Sequence, residues 1–228
     1  MTTDARPLPD PIRAAIFDMD GTLIDSEAVQ HRAFVETAAA LGWPLSDDIL
    51  EAMVGVNRDA NELMLAQRLG ADFPLRRFYE DADLLFEAAV DAGLPLRPGA
   101  ELILDHFRKA AIPLALCTST MGGKAQDRLE KAGLLHYFDV VVTRSDVTHP
   151  KPHPEPYRLA AERLGIDPAD CVAIEDSYAG VRSATAAGIA TVMVPDLLPP
   201  TEEQTLVVAR VLPSLSDLRD LLLAPTES

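Results

Sequence analysis

Residues 12–22 read IRAAIFDMDGT, a short, largely apolar run that ends on two carboxylates and a glycine. Ile12 to Phe17 has the length and character of a buried strand. Asp18 and Asp20, two residues apart on an extended chain, project to the same side. Held close, they repel each other, and a divalent cation or a proton relieves the repulsion. One can stay ionised as nucleophile or ligand while the other cycles a proton as general acid and base. Gly21 lets the backbone turn away at once. Surface turns and calcium loops also use Asp and Gly, so the segment gains its meaning only from the rest of the chain.

Outward from this strand, further apolar runs recur at Pro113–Cys117, Val140–Thr143, Cys171–Ile174, Ala190–Val194 and Leu206–Leu212. They are nearly continuous in apolar character rather than alternating, as expected of strands covered on both faces. Helical patterns lie between them at Ala100–Ala110, Gly123–Ala132, Pro154–Leu164, Tyr178–Ala187 and Leu215–Leu223, with Gly133, Gly165 and Gly188 at expected helix ends. The alternation predicts an α/β fold with a doubly wound parallel sheet. One region breaks the rhythm. Before Pro98 four helical stretches, Ser26–Leu41, Ser46–Met53, Asp59–Leu69 and Leu75–Ala92, succeed one another without a strand. The predicted organisation is an α/β core of residues 1–24 and 96–228 with an α-helical insert of residues 25–95. Ligands of open α/β sheets bind beyond the carboxyl ends of the strands, so an insert leaving from that edge is expected to act as a lid.

Three more signals fall at predicted strand ends. Thr118-Ser119 closes the second strand, where hydroxyls and backbone N–H groups before a helix can cradle a phosphate; helix capping is the plainer use of such residues. Lys151 stands between Pro150 and Pro152, which fix its backbone, and a held ammonium can neutralise a carboxylate or a phosphate oxygen. The chain has only four lysines, which makes a merely solvating role less economical. Glu175-Asp176 comes after the fourth strand and suits a hard cation such as Mg²⁺, although Asp176 or Ser177 could instead cap a helix. In chain order, these positions put paired acids, hydroxyl, cation and metal ligand around one rim.

With FDMDGTLIDSE at residues 17–27, Thr118, Lys151 and IEDSYAG at residues 174–180, the chain resembles the haloacid dehalogenase superfamily, in the subgroup whose helical cap comes after the first motif. The resemblance runs over residues 12–223. It implies that Asp18 attacks phosphorus to form an aspartyl-phosphate and that Asp20 protonates the leaving oxygen and then activates water. It further implies that Mg²⁺ is held by the Asp18 carboxylate, the Asp20 main-chain carbonyl and the Asp176 carboxylate. Thr118, Lys151 and the Ser119 backbone would hold the transferring group, and Glu175 would stand behind the metal or meet it through water. Charge neutralisation and in-line positioning are what phosphoryl transfer requires.

In the insert, Gly55-Val56-Asn57-Arg58 resembles the substrate-specificity loop of this subgroup, with Arg58 as the expected partner of a distal anionic group. Gln30 and His31 are further candidates for the cleft. Arg76 and Arg77 read as surface residues, and Trp43 with leucines at helical spacing as core. His149 and His153 flank Lys151 beside prolines, which argues for rigidity rather than metal binding; His106 and His136 carry no signal.

A formal net charge of −16 disfavours nucleic-acid binding. No apolar run is long enough to span a bilayer, the first fifteen residues do not resemble a signal peptide, and Cys117 and Cys171 sit in strand-like runs as reduced thiols. The expectation is a cytoplasmic monomer acting on a small phosphorylated metabolite, a sugar phosphate in particular, as a Mg²⁺-dependent phosphatase. A phosphomutase resembling β-phosphoglucomutase is the alternative. Thr22 where such mutases place Val, and the absence of any lysine before Lys109, favour hydrolysis. The missing insert lysine also argues against a Schiff-base phosphonatase, and Asp20 argues against a dehalogenase. A catalytically silent binding module predicts a missing motif residue, and none is missing.

Overall fold

The computed structural model describes residues 6–54, 56 and 58–224. Six strands, β1 (Ala14–Phe17), β2 (Leu114–Cys117), β3 (Val140–Val142), β4 (Cys171–Glu175), β5 (Ala190–Met193) and β6 (Arg210–Val211), form one sheet in the order β3-β2-β1-β4-β5-β6. Every pairing is parallel. The fold is therefore the doubly wound α/β sheet expected from the sequence. From the central β1 the chain builds outward to β2 and β3 on one side, then returns to build β4, β5 and β6 on the other. The strand order thus reverses beside β1, which is where such sheets open a crevice.

The inner strands are short and covered on both faces. All residues of β1, β2, β4 and β5 are buried. Ile16 joins a cluster with Ala115, Ala173 and the buried face of one helix, Tyr157, Ala160 and Ala161. Its neighbour Phe17 points the other way and meets Phe107 edge-on, with ring centroids 5.9 Å apart at 74°. Adjacent residues of one strand thus anchor helices on opposite faces.

The helices of the core are Ala100–Lys109, Gly122–Lys131, Glu155–Leu164, Tyr178–Ala186, Glu202–Val207 and Leu215–Leu223. Taken in chain order after the four helices of residues 26–92, these are α5 to α10. One sequence expectation is corrected here. Leu206–Leu212 is not a continuous strand: its first residues complete α9, and only Arg210–Val211 pair with β5. Thr201 and Gln204 explain this, because the Thr201 N–H donates to Gln204 Oε1 at 3.3 Å and Gln204 is 1% exposed. That reciprocal cap nucleates a helix where apolar character alone suggested a strand.

The chain divides into two compact units, Met1–Asp25 with Pro95–Ser228, and Ser26–Leu94. The second is entirely helical: α1 (Ser26–Ala40), α2 (Asp47–Met53), α3 (Arg58–Leu69) and α4 (Leu75–Ala92). Its own core gathers Ala38, Ile49, Met53, Leu65, Phe73, Phe78 and Tyr79, with Trp43 half-buried against Phe73. Among the described residues no helix is long and apolar enough to cross a membrane.

Replacing Phe107 by Ala empties the space against Phe17 and is expected to cost about 3–5 kcal/mol of stability. Leu102→Ala on the same helix, at a position 52% exposed, is the control. Urea unfolding followed by circular dichroism should separate the two, and equal midpoints would refute this packing.

Candidate active site

The sequence places an acidic or hydroxyl residue after three strands and a lysine beyond a fourth, and the parallel sheet brings these ends to one edge. Asp18 follows β1, Thr118 follows β2, Lys151 lies in the loop beyond β3, and Glu175 ends β4 with Asp176 next to it. The Lys151 ammonium donates to Asp18 Oδ1 (2.5 Å), Glu175 Oε1 (2.6 Å) and the Cys117 carbonyl (2.8 Å). Its side chain is 5% exposed and that of Glu175 is fully buried. A buried charge needs partners of this kind.

Three carboxylates, Asp18, Glu175 and Asp176, offer oxygens within 4.8 Å of one another. Were all three ionised, the Lys151 ammonium opposite them would leave two negative charges uncompensated. Burial pushes the Asp18 carboxyl up to about 8, with Lys151 opposing and Glu175 reinforcing the shift. Burial likewise raises Asp176 well above the usual carboxylate range, with Asp18 and Glu175 adding to it. Burial pulls the Lys151 ammonium down, but Asp18 and Glu175 outweigh it and hold the group charged. A divalent cation seated among these oxygens would balance the charge, and an all-oxygen donor set suits a hard ion.

Several residues to which sequence reasoning gave no place in the site hold it in shape. Tyr157, fully buried in α7, donates its hydroxyl to Glu175 Oε1 at 2.8 Å, and its ring centroid lies 5.0 Å from the Lys151 ammonium. Thr22 donates to Asp176 Oδ1 at 2.8 Å. Asp20 is gripped from two sides: Thr120 donates to Oδ2 at 2.7 Å, and Arg128 Nη1 to Oδ1 at 3.0 Å. Arg128 could have been suspected from its position in α6. It lies three residues after buried Ala125 and next to buried Leu129, at the margin of the inward stripe.

Two glycines leave room for the acids. A Cβ on Gly180 would collide with the Glu175 carboxylate, and one on Gly21 with Asp176 Oδ2. Ser177 caps α8, its side chain accepting the Gly180 N–H at 3.0 Å, so the helix cap falls on Ser177 and not on Asp176. Glu175 Oε2 in turn accepts from the backbone N–H groups of Asp176 and Ser177 and from the Ser177 hydroxyl.

The loop carrying Lys151 is pinned by Glu155, whose carboxylate oxygens accept the N–H groups of Thr148 (2.8 Å) and His149 (2.9 Å). Those two N–H groups, with the His149 ring, hold the Glu155 carboxyl down at about 2. Ser183 adds a bond to the His153 carbonyl at 2.6 Å. Thr118 is buried and its hydroxyl accepts the Thr120 N–H at 3.0 Å, whereas Ser119 is exposed.

The remaining sequence candidates belong to the helical unit. Arg58 is engaged there: its guanidinium donates to Glu62 (3.2 Å) and Asp83 (2.7 Å) and lies 4.2 Å from the Tyr79 ring centroid. Gln30 keeps a buried Nε2 without a hydrogen-bond partner, and His31 is exposed. Arg76 and Arg77 are exposed, as expected, beside Glu80 and Asp81. Gly55 and Asn57 lie outside the described residues. Cys117 and Cys171 are buried free thiols.

Known proteins resemble this chain in sequence and fold. Residues 12–188 match the family described as haloacid dehalogenase-like hydrolase. A phosphorylated carbohydrates phosphatase of Thermotoga maritima is 35% identical over 178 residues, covering 78% of this chain and 82% of its own. The crystal structure of a haloacid dehalogenase family hydrolase from Deinococcus radiodurans, with bound phosphate and sodium, superposes with a TM-score of 0.82 at 32% identity, covering 94% and 96% of the two chains. A putative β-phosphoglucomutase from Thermotoga maritima gives a TM-score of 0.80 at 31% identity, covering 92% and 98%. The rim of acids around Lys151 thus sits on a chain that belongs to the haloacid dehalogenase-like hydrolases.

Proposed function

We propose that the chain is a Mg²⁺-dependent phosphatase that hydrolyses a small phosphate monoester, a sugar phosphate, in the cytoplasm as a monomer. The observation that carries this reading is the charge imbalance at the sheet edge, with three clustered carboxylates, Asp18 and Glu175 buried and Asp176 half-buried, set against one ammonium. The phosphatase named for phosphorylated carbohydrates supports the substrate class. Mg²⁺, held by the carboxylates of Asp18 and Asp176 and the main-chain carbonyl of Asp20, would supply neutralisation of the phosphoryl oxygens.

Each residue has its own share of the work. Asp18 attacks phosphorus with a carboxylate oxygen while the ester oxygen departs with a proton from Asp20, leaving an aspartyl-phosphate. Asp20 then takes a proton from water, whose oxygen attacks the same phosphorus and frees Asp18 and inorganic phosphate. Lys151, Thr118 and the Ser119 backbone hold the transferring group. Glu175 acts behind them by orienting Lys151, to which it is bonded. Arg128 and Thr120 aim the Asp20 carboxylate. From the helical unit, Gln30 brings an unpaired donor and Gly55 and Asn57 the flanks of the specificity loop. Arg58 serves a distal anion of the substrate by exchanging its bonds to Glu62 and Asp83.

The likeness to a putative β-phosphoglucomutase keeps a mutase as the second reading. The helical unit contains no lysine and Thr22 follows Gly21, both of which favour hydrolysis.

Phosphate release from a panel of sugar phosphates, phosphoglycolate and nucleotides should require Mg²⁺ and stop with EDTA. Asp18→Asn is expected to lower it by roughly 10³-fold or more with the fold intact by circular dichroism; unchanged turnover would sink the mechanism. Isomerised hexose phosphate without phosphate release would instead establish the mutase.

Arg128→Ala should lower kcat by about ten- to a hundredfold with little change in KM, and Arg128→Lys should recover part of the loss. With p-nitrophenyl phosphate, whose leaving group needs little protonation, the loss should shrink. Equal losses for activated and unactivated esters would rule out a role through Asp20.

A further inference from the structure

Outside the acidic rim, a second group of metal-ligating side chains stands on the outer side of the Lys151 loop. His149, Lys151, His153 and Glu155 alternate with prolines at 150, 152 and 154. The lysine side chain is 5% exposed, whereas the two histidines stand outside, 62% and 48% exposed. The imidazole rings stack loosely, centroids 4.6 Å apart at 35°. Glu155 Oε2 lies 2.8 Å from His149 Nδ1 and 3.9 Å from His153 Nδ1, and His153 Nδ1 accepts the Glu155 backbone N–H at 3.2 Å, a bond that a metal at this nitrogen would replace.

These separations have a chemical meaning. Zn²⁺ binds imidazole nitrogen and carboxylate oxygen at about 2.0–2.2 Å, which puts tetrahedral neighbours roughly 3.3 Å apart. The observed 2.8 and 3.9 Å bracket that spacing, and one ligand atom from each residue lies within 4.8 Å of the other two. Rotation of two exposed rings closes the remainder. The backbone is already fixed, because Glu155 is bonded to the Thr148 and His149 N–H groups and Ser183 to the His153 carbonyl. The prolines that argued for rigidity therefore favour a metal site, since a rigid frame lowers the ordering cost of binding.

We propose that His149, His153 and Glu155 form a site for a zinc-class divalent cation, separate from the acidic rim and completed by solvent at the open position. Two imidazoles and one carboxylate favour borderline ions such as Zn²⁺ or Ni²⁺ over Mg²⁺, which prefers oxygen throughout. This proposal does not depend on what reaction the acidic rim performs.

The test is calorimetric titration of the full chain with Zn²⁺ in excess Mg²⁺, comparing wild type, His149→Ala, His153→Ala and Asp18→Asn. Ligand-supporting groups alone are worth about 10–100-fold in affinity, so each histidine variant should weaken Zn²⁺ binding at least about tenfold, while Asp18→Asn leaves it unchanged. Both histidines are exposed, and circular dichroism should confirm that the variants fold. Zn²⁺ affinity unchanged in both histidine variants, binding lost only in Asp18→Asn, or no Zn²⁺ binding to wild type would each overturn the proposal.

Discussion

The molecule is organised around one ammonium group. Lys151 reaches from the loop after β3 to bond Asp18 beyond β1, Glu175 at the end of β4 and the last carbonyl of β2. One cation therefore ties together the ends of three neighbouring strands. Buried ions are costly unless every partner is in place, so the constraint spreads outward. Tyr157 must satisfy Glu175, Gly180 must leave space for its carboxylate, and Glu155 must fasten the loop that delivers the lysine. Even so, the acids outnumber the base, and the raised Asp18 and Asp176 carboxyls express what remains unbalanced.

Most of the α/β architecture was legible because strands buried on both faces leave unbroken apolar runs, and the helices between them end at glycines. The run at residues 206–212 misled because apolar content says nothing about a reciprocal cap, and the Thr201–Gln204 pair converted its first half to helix. Within the site, Asp18, Thr118, Glu175 and Asp176 could be picked out because each stands at or just beyond a strand end, where polar residues interrupt an apolar run, and Lys151 because prolines flank it in a chain with few lysines. Tyr157 and Thr120 could not, Thr22 stood out only as a mark of hydrolysis, and Arg128 had no more than a place at the margin of a buried helix stripe to suggest it. Tyr157 reads as ordinary core, and its hydroxyl meets Glu175 only through the packing of α7 on the sheet. Arg128 sits near a helix C-terminus, where a cation has a sufficient local reason to be.

The helical unit obeys a different logic. Its core is aromatic, with Phe34, Phe73, Phe78 and Tyr79 in contact and Trp43 closing one side. The α/β core instead packs many alanines against its sheet. Small side chains let helices lie close on short strands, and the helical unit, lacking a sheet, fills its interior with rings. Among its described residues, Gln30 Nε2, Ser26 Oγ, Thr37 Oγ1, Asn61 Oδ1 and the Tyr79 hydroxyl are buried without a hydrogen-bond partner.

The bond between Thr22 and Asp176 spans 154 positions of the chain. Its two ends flank strands that are adjacent in the sheet but are made far apart in time. At about 5–20 residues per second on the ribosome, roughly eight to thirty seconds separate the synthesis of the first acidic pair from that of the last acid. During that interval β1, whose four residues are all buried in the finished protein, has no β4 to pair with. The nascent chain must carry an apolar strand without its central neighbour until synthesis passes residue 176. The acidic rim is accordingly one of the last features to exist, and a polypeptide arrested before β4 would contain Asp18, Asp20, Thr118 and Lys151 without an active site.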